Sequence, residues 1–426
     1  MISNIKKFKA IKAIPIVLLL FCILLVTGCT SAPSRGWSGP LVNEGVLYVG
    51  TIEGKVIALD ITSISDGTPD LTWNKDVGAA TGGGGFACST KVSKPMAVYG
   101  TPIVKDGKLY VATYNGDVLY ITTDGKTISS VPFETKSAIV GSPWIDGDAL
   151  YVGSSNGKLY KLDLDLNFEW EFQTGDKIWS TPVVSNGVVY ISSADHKLYA
   201  VDAESGKEIW YFEAGAAILS TPLVVDGTMI YIGACDRKFY AIDAATEEER
   251  LAAVNGERSP FRKDAKGSPF EAGNWFWTTA LAYKGEIWVG CLDHNVYALD
   301  AVTLEEKAKV TTQGMVYAPP VLLGNRIIVG SQDGRVYAID PETRDWTAYT
   351  IEGNTDSSTP EVYVSQNTEP LKEPTKPIPP IFAPLYPGSD NDTVYFHAQD
   401  GTHMLYALRW STSEVVWSFR TDKISG

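Results

Sequence analysis

The chain has 426 residues, 44% of them apolar, with 12 Trp, 21 Tyr and 39 Gly, a composition that favours strands and the turns between them. Lys and Arg number 36 against 50 Asp and Glu, and the resulting charge of −14 excludes nucleic acid and anionic lipid surfaces as natural partners. Only 5 cysteines are present, so a core that depends on disulfides is excluded too.

In chain order the first element is an export signal. Lys6, Lys7, Lys9 and Lys12 precede an apolar run from Ala13 to Val26, the layout of a secretory signal peptide. The run ends on Val26-Thr27-Gly28-Cys29, followed by the polar stretch Thr30-Ser31-Ala32-Pro33-Ser34. This junction resembles the bacterial lipobox, which implies lipidation at Cys29, a signal over 1–28 and a tether over 29–36. The body of the protein is expected outside the cytoplasm. The alternative is an uncleaved membrane anchor, because the run is close to the shortest that spans a bilayer. Loss of the signal removes four lysines and no acids, leaving 32 basic against 50 acidic side chains and a charge of −18. Cys88, Cys235 and Cys291 then allow at most one disulfide.

From residue 37 onward the chain repeats. A step of small residues ending on proline recurs at Ser38-Gly39-Pro40, Gly100-Thr101-Pro102, Gly141-Ser142-Pro143, Ser180-Thr181-Pro182, Ser220-Thr221-Pro222, Thr278-Thr279-Ala280, Ala318-Pro319-Pro320 and Ser358-Thr359-Pro360. Five of the seven intervals between third positions are 39 to 41 residues, the period of a propeller or solenoid. A strand follows each step, as in Leu47-Tyr48-Val49-Gly50 and Ile230-Tyr231-Ile232-Gly233. Two-residue turns such as Asn115-Gly116 and Asp333-Gly334 come next, then a third strand such as Tyr240-Ala241-Ile242-Asp243. A fourth strand often carries a tryptophan, at Trp73, Trp170, Trp210, Trp346 and Trp417. The reading is all-β: an eight-bladed β-propeller of four-stranded antiparallel blades over 37–426, with insertions near 78–98, 256–275 and 365–390.

The stretch from Ala200 to Trp210, AVDAESGKEIW, resembles the tryptophan-docking repeat of pyrroloquinoline quinone (PQQ) dehydrogenases and their non-enzymatic relatives. The resemblance implies that Ala200, Asp202, Gly206 and Trp210 pack a blade onto its neighbour. PQQ with Ca²⁺ is the cofactor set of the enzymes, which use acidic and amide calcium ligands, an acidic base, an arginine and usually a vicinal cysteine pair. This chain has no adjacent cysteines and no Cys-x-x-Cys-His for haem, and no motif assigns those roles to its residues. It is similar in length, lipobox and blade number to the eight-bladed lipoprotein of the outer-membrane β-barrel assembly machinery. A membrane-anchored scaffold for an envelope protein or small ligand is therefore expected, without cofactor or nucleic acid. Its place is the periplasmic side of an outer membrane, or the cell surface in a single-membrane organism. A PQQ-dependent oxidoreductase of alcohols or sugars is the alternative.

Candidate site residues follow from the repeat. Asp60, Asp163, Asp202, Asp243, Asp300 and Asp340 recur once per blade and are expected to accept backbone hydrogen bonds in the next turn. His196, His294, His397 and His403 have no acid or cysteine at metal-ligand spacing, so no metal is expected. The residue three before each recurring proline position is expected near the channel mouth: Trp37, Tyr99, Val140, Trp179, Leu219, Trp277, Tyr317 and Ser357. In the turns between second and third strands, a usual glycine is replaced by His196, Arg237 and His294, which cost stability unless useful. The aromatics and these cations are the candidate binding arc. The insertions near 78–98 and 256–275, the latter with Arg258, Arg262, Lys263 and Trp275, are expected to join blades on that face. The 365–390 insertion is expected between strands one and two of blade eight, on the other face.

Overall fold

The second strand of a repeat, Val188–Ser192, is buried at every position, and the third, Lys197–Asp202, at all but its ends. Strands covered on both faces read as apolar runs, and here neighbouring sheets provide the cover. The computed structural model describes residues 38–77, 97–244, 266–352, 361–366, 380–398 and 404–421, with the short strands Ala253–Val254, Glu257–Arg258 and Phe261–Lys263. Cys29, Trp37, Cys88 and His403 lie outside them.

Eight sheets of antiparallel strands occupy 41–76, 103–134, 144–173, 183–213, 223–271, 281–311, 321–352 and 386–420, blades 1 to 8 of a β-propeller. Each blade meets the next through an apolar layer, as where Trp210 and Phe212 of blade 4 pack with Ile230 and Ile242 of blade 5. Blades 1 and 8 close the ring face to face, each from its own stretch of chain: Leu47, Ile57 and Leu59 pack on Leu405, Ala407 and Trp417. The Tyr386 hydroxyl also donates to the Val42 carbonyl at 3.0 Å.

The repeat glycines and tryptophans meet at the docking points. Trp73 donates its Nε1–H to Thr123 O at 2.9 Å in the next blade, and a Cβ on Gly125 would come within 2.5 Å of its ring. Trp170 covers Gly206 in the same way, 2.7 Å from where a Cβ would stand, and Gly206 has φ +70°. Ala200 is fully buried beside Trp210, and Asp202 accepts from the Ser205 N–H at 2.8 Å. Asp60, Asp163, Asp300 and Asp340 hold their following turns likewise.

Two insertions lie elsewhere than expected. The fourth strand of blade 5 is Phe270–Glu271, pairing with Lys238 and Phe239, so the insertion before it joins strands three and four of blade 5. It belongs to the opposite face, not to a blade-to-blade link, and its strand Phe261–Lys263 runs parallel to Trp210–Phe212 as a fifth strand of blade 4. Glu361–Gln366 pairs antiparallel with Thr347–Glu352 as a fifth strand of blade 7. The proline-rich segment after it therefore leads from blade 7 into Tyr386–Pro387, the first strand of blade 8, rather than joining strands one and two of that blade.

Candidate functional site: the channel mouth

The linkers between blades and the turns between second and third strands share one face, the mouth face, and backbone hydrogen bonds bind them to each other. The N–H groups of Tyr114, Ser155, Ala194, Cys235, Leu292 and Gln332 donate to linker carbonyls of Ala97, Ala138, Lys177, Ala217, Trp275 and Met315 at 2.8 to 3.0 Å. Deeper in, the small residues of the recurring step ring the channel. Thr101 N–H donates to Ser142 Oγ, Ser142 N–H to Thr181 Oγ1 and Thr181 N–H to Thr221 Oγ1, at 2.9 to 3.0 Å. The step is small because the wall is tight: a Cβ on Gly141 would stand 2.5 Å from the Ser180 carbonyl oxygen.

In the turns of blades 4 to 7 an acid ties three parts together. Asp195 accepts from the Gly175 N–H and the Tyr199 hydroxyl, Asp293 from Gly273 and Tyr297, and Asp333 from Gln313 and Tyr337, at 2.6 to 2.9 Å. Asp236 does the same for Gly215 and Tyr240. Burial, then the neighbouring carboxylate, pushes Tyr199 and Tyr297 well above the usual phenol range. These four acids are not among the recurring acids expected to hold turns, although Asp-x-x-x-Tyr repeats at Asp195, Asp236, Asp293 and Asp333. Burial beside Asp236 likewise pushes the Cys235 thiol up to about 11.

Tyr99, Trp179, Trp277 and Tyr317 are each half-buried at the mouth. Trp179 of blade 4 and Trp277 of blade 6 meet with ring centroids 6.3 Å apart, reaching past blade 5. Trp277 meets Tyr317 at 6.4 Å, and Tyr317 meets Phe382 at 5.3 Å. Trp179 Nε1–H donates to Ser155 Oγ at 3.0 Å, and Tyr99 lies 4.9 Å from Tyr114. Phe382 takes the eighth position in place of Ser357, because Ile381 N–H donates to Ser331 O at 3.1 Å, as Val316 N–H does to Cys291 O at 3.3 Å. The segment around Ser357 lies outside the described residues and leads into the fifth strand of blade 7. The signal for Phe382 was Ala383-Pro384, thrown out of period by the insertion.

His196, Arg237 and His294 sit at φ 77°, 70° and 72°, in the left-handed region, and all three are exposed. Arg237 pairs with Glu271 at 3.1 Å across an exposed surface. Among the described residues none of the three makes a ring or ion contact with the aromatic cluster, so the structure assembles the aromatics without the turn cations. Replacing His196 or His294 by glycine is expected to stabilise the fold by up to about 1 kcal/mol, since a side chain in the left-handed region costs energy that glycine does not. Urea denaturation midpoints check this.

Two clefts open on the opposite face. One of about 430 Å³ lies between blades 3 and 4 beside Asp146, Tyr151, Lys161 and Glu204. The other, about 410 Å³, lies between blades 5 and 6 beside Met229, Tyr231, Lys266 and Tyr283. Among the described residues no group of three or more His, Cys, Asp or Glu is placed to hold a metal ion.

Fold and repeat together define an eight-bladed propeller of the quinoprotein type. The chain belongs to the family described as outer membrane protein assembly factor BamB, whose sequence profile matches residues 27–167 and 167–252. Among solved structures, BamB from Moraxella catarrhalis superposes with a TM-score of 0.60 at 15% identity, over 85% of this chain and 93% of that one. The computationally designed Ika8 protein does so with a TM-score of 0.63 at 13% identity, over 87% and 96%. Likeness to a designed propeller as close as that to a natural one speaks for the fold alone. No curated protein matches the chain.

Proposed function

We propose that this protein is an exported scaffold, anchored to a membrane through an acylated Cys29, which presents its mouth face to an envelope protein partner. The observation that carries the reading is the unbroken run of half-buried rings from Trp179 through Trp277 and Tyr317 to Phe382. Such rings offer apolar area with polar edges, the chemistry that anchors a partner segment. The family's description as an assembly factor supports the same reading.

The hydrogen bonding of the described mouth acids supports the scaffold over a site for PQQ and its calcium. Their recurring carboxylates already hold a tyrosine hydroxyl and a linker N–H, a structural role that accounts for the acids without a metal.

Photo-crosslinking tests the reading, with the reactive residue at Trp277 on the mouth face or at Val302 on the opposite face. A defined membrane-protein adduct is expected from 277 alone. Once that partner is known, Trp179→Ala and Trp277→Ala are each expected to weaken its affinity at least tenfold, with His196→Gly, Arg237→Gly and His294→Gly measured beside them. Unchanged affinity in all five folded variants removes the site. Anchoring is checked separately: Cys29→Ser is expected to abolish processing and membrane partition, and processed, membrane-bound Cys29→Ser protein refutes it.

A further inference from the structure

Four of the turns that follow a third strand carry an acid two places beyond the recurring aspartate position: Asp124, Asp165, Glu204 and Glu342. Three of the four are neutralised by a lysine. Lys126 of the same turn lies 3.0 Å from Asp124, and Lys108 of blade 2 lies 2.7 Å from Asp165 of blade 3. Lys284 of blade 6 pairs in the same way with Glu342 of blade 7. Glu204 of blade 4 is the exception, with no ion pair or hydrogen bond among the described residues.

One residue of the repeat accounts for this. The strands Lys108–Ala112 and Ala149–Gly153 share a register, KLYVA against ALYVG, so Ala149 stands where blade 2 has Lys108. The Lys108 ammonium also donates to Leu164 O at 3.3 Å, and the Tyr110 hydroxyl donates to the same carbonyl at 2.7 Å. One blade later the matching carbonyl, Ala203 O, receives Trp170 Nε1–H at 3.3 Å instead. Tyr151, the counterpart of Tyr110, is 2% exposed and lines the cleft between blades 3 and 4, where its hydroxyl makes no hydrogen bond with the described residues.

The missing lysine leaves a cleft of about 430 Å³ with the acceptors of an ammonium group still in place. Asp146 and Glu204 border it, neither with an ion-pair or hydrogen-bond partner among the described residues, and its own cation, Lys161, is held by Glu169 at 2.8 Å. A carbonyl oxygen has two lone pairs, so Ala203 O can accept a second donor, and a phenol oxygen accepts as well as donates. A group the size of water takes up roughly 30 Å³, so the cleft holds a whole alkylammonium chain. Among the described residues no three acids converge as metal ligands, which leaves an extended organic cation as the fitting charge. A ligand with its own carboxylate would meet Asp146 and Glu204 with Lys161 already engaged.

We propose that the cleft between blades 3 and 4 is a binding site for an aliphatic di- or polyamine. One primary ammonium takes the place that the Lys108 ammonium fills one blade earlier, against Glu204 and Ala203 O, and Asp146 and the Tyr151 hydroxyl accept from the rest of the ligand. The site lies on the face opposite the mouth aromatics, so its test is separate from that of the scaffold reading.

Calorimetric titration of the full chain in uncharged detergent tests this with spermidine, free lysine and uncharged butane-1,4-diol. Spermidine is expected to bind one to one, lysine at least tenfold more weakly and the diol not at all. Ala149→Lys, which restores the arrangement of blade 2, is expected to weaken spermidine binding at least tenfold without lowering the thermal midpoint. Glu204→Gln and Tyr151→Phe, which keep the side-chain volumes, are each expected to weaken it at least threefold. Glu305→Gln, which removes the same charge from an exposed turn of blade 6, is expected to change it less than twofold. Absence of saturable one-to-one binding, equal losses in Glu204→Gln and Glu305→Gln, or lysine binding as tightly as spermidine overturns the proposal.

Discussion

Above pH 10 the protein is expected to lose stability steeply and to unfold in one cooperative alkaline transition. Tyr199, Tyr240, Tyr297 and Tyr337 are held well above the usual phenol range, by burial first and then by the carboxylate each one bonds. Tyr110 and Tyr151 are pushed up to about 12, chiefly by burial. The sign follows from proton counting: above pH 10 the unfolded chain releases phenol protons that the native state keeps, so rising pH favours the unfolded state. Each group contributes a slope of about 1.4 kcal/mol per pH unit between its unfolded and folded values. Below pH 10 these groups leave stability unchanged. Tyrosinate absorbance followed together with circular dichroism checks this. The buried phenols are expected to ionise only as the sheets are lost, and smooth ionisation near pH 10 with the sheets intact contradicts it. Tyr297→Phe is expected to flatten the slope by about one proton.

Trp210→Ala is expected to cost about 3 to 5 kcal/mol, the largest loss from any single truncation considered. The ring is 3% exposed, lies 5.9 Å from Tyr190, and fills the layer between blades 4 and 5 with Ile230 and Ile242. A cavity there has no loop to collapse into, because sheets cover it on both sides. Trp275→Ala, with its ring exposed, is the control and is expected to change stability by less than about 0.5 kcal/mol. Urea denaturation measures both, and a Trp210→Ala cost below about 1 kcal/mol contradicts the docking role.

The blades were legible because two-sided burial and docking repeat with a fixed period. Trp73, Trp170, Trp210, Trp346 and Trp417 all fall on fourth strands, as their spacing indicates. Insertions were misplaced where local signals ran short. Blade 5 has a fourth strand of only two residues, Phe270–Glu271, without a tryptophan, and its insertion pairs with a different blade. At the mouth, the aromatic positions could be read from the proline register until the 365–390 insertion broke it, which hid Phe382 behind Ser357. The turn residues His196, Arg237 and His294 were found from their departure from glycine, yet a departure says nothing about where a side chain points. Contact between Trp179 and Trp277 skips a blade, and no pattern along the chain encodes a meeting between blades two apart.

A titration of the protein from residue 30 onward with PQQ and Ca²⁺, read by equilibrium binding and by dye-linked oxidation of alcohols and sugars, tests most directly whether this propeller is a scaffold. The account predicts no stoichiometric binding and no dye reduction. One-to-one quinone binding with substrate-dependent dye reduction would contradict it.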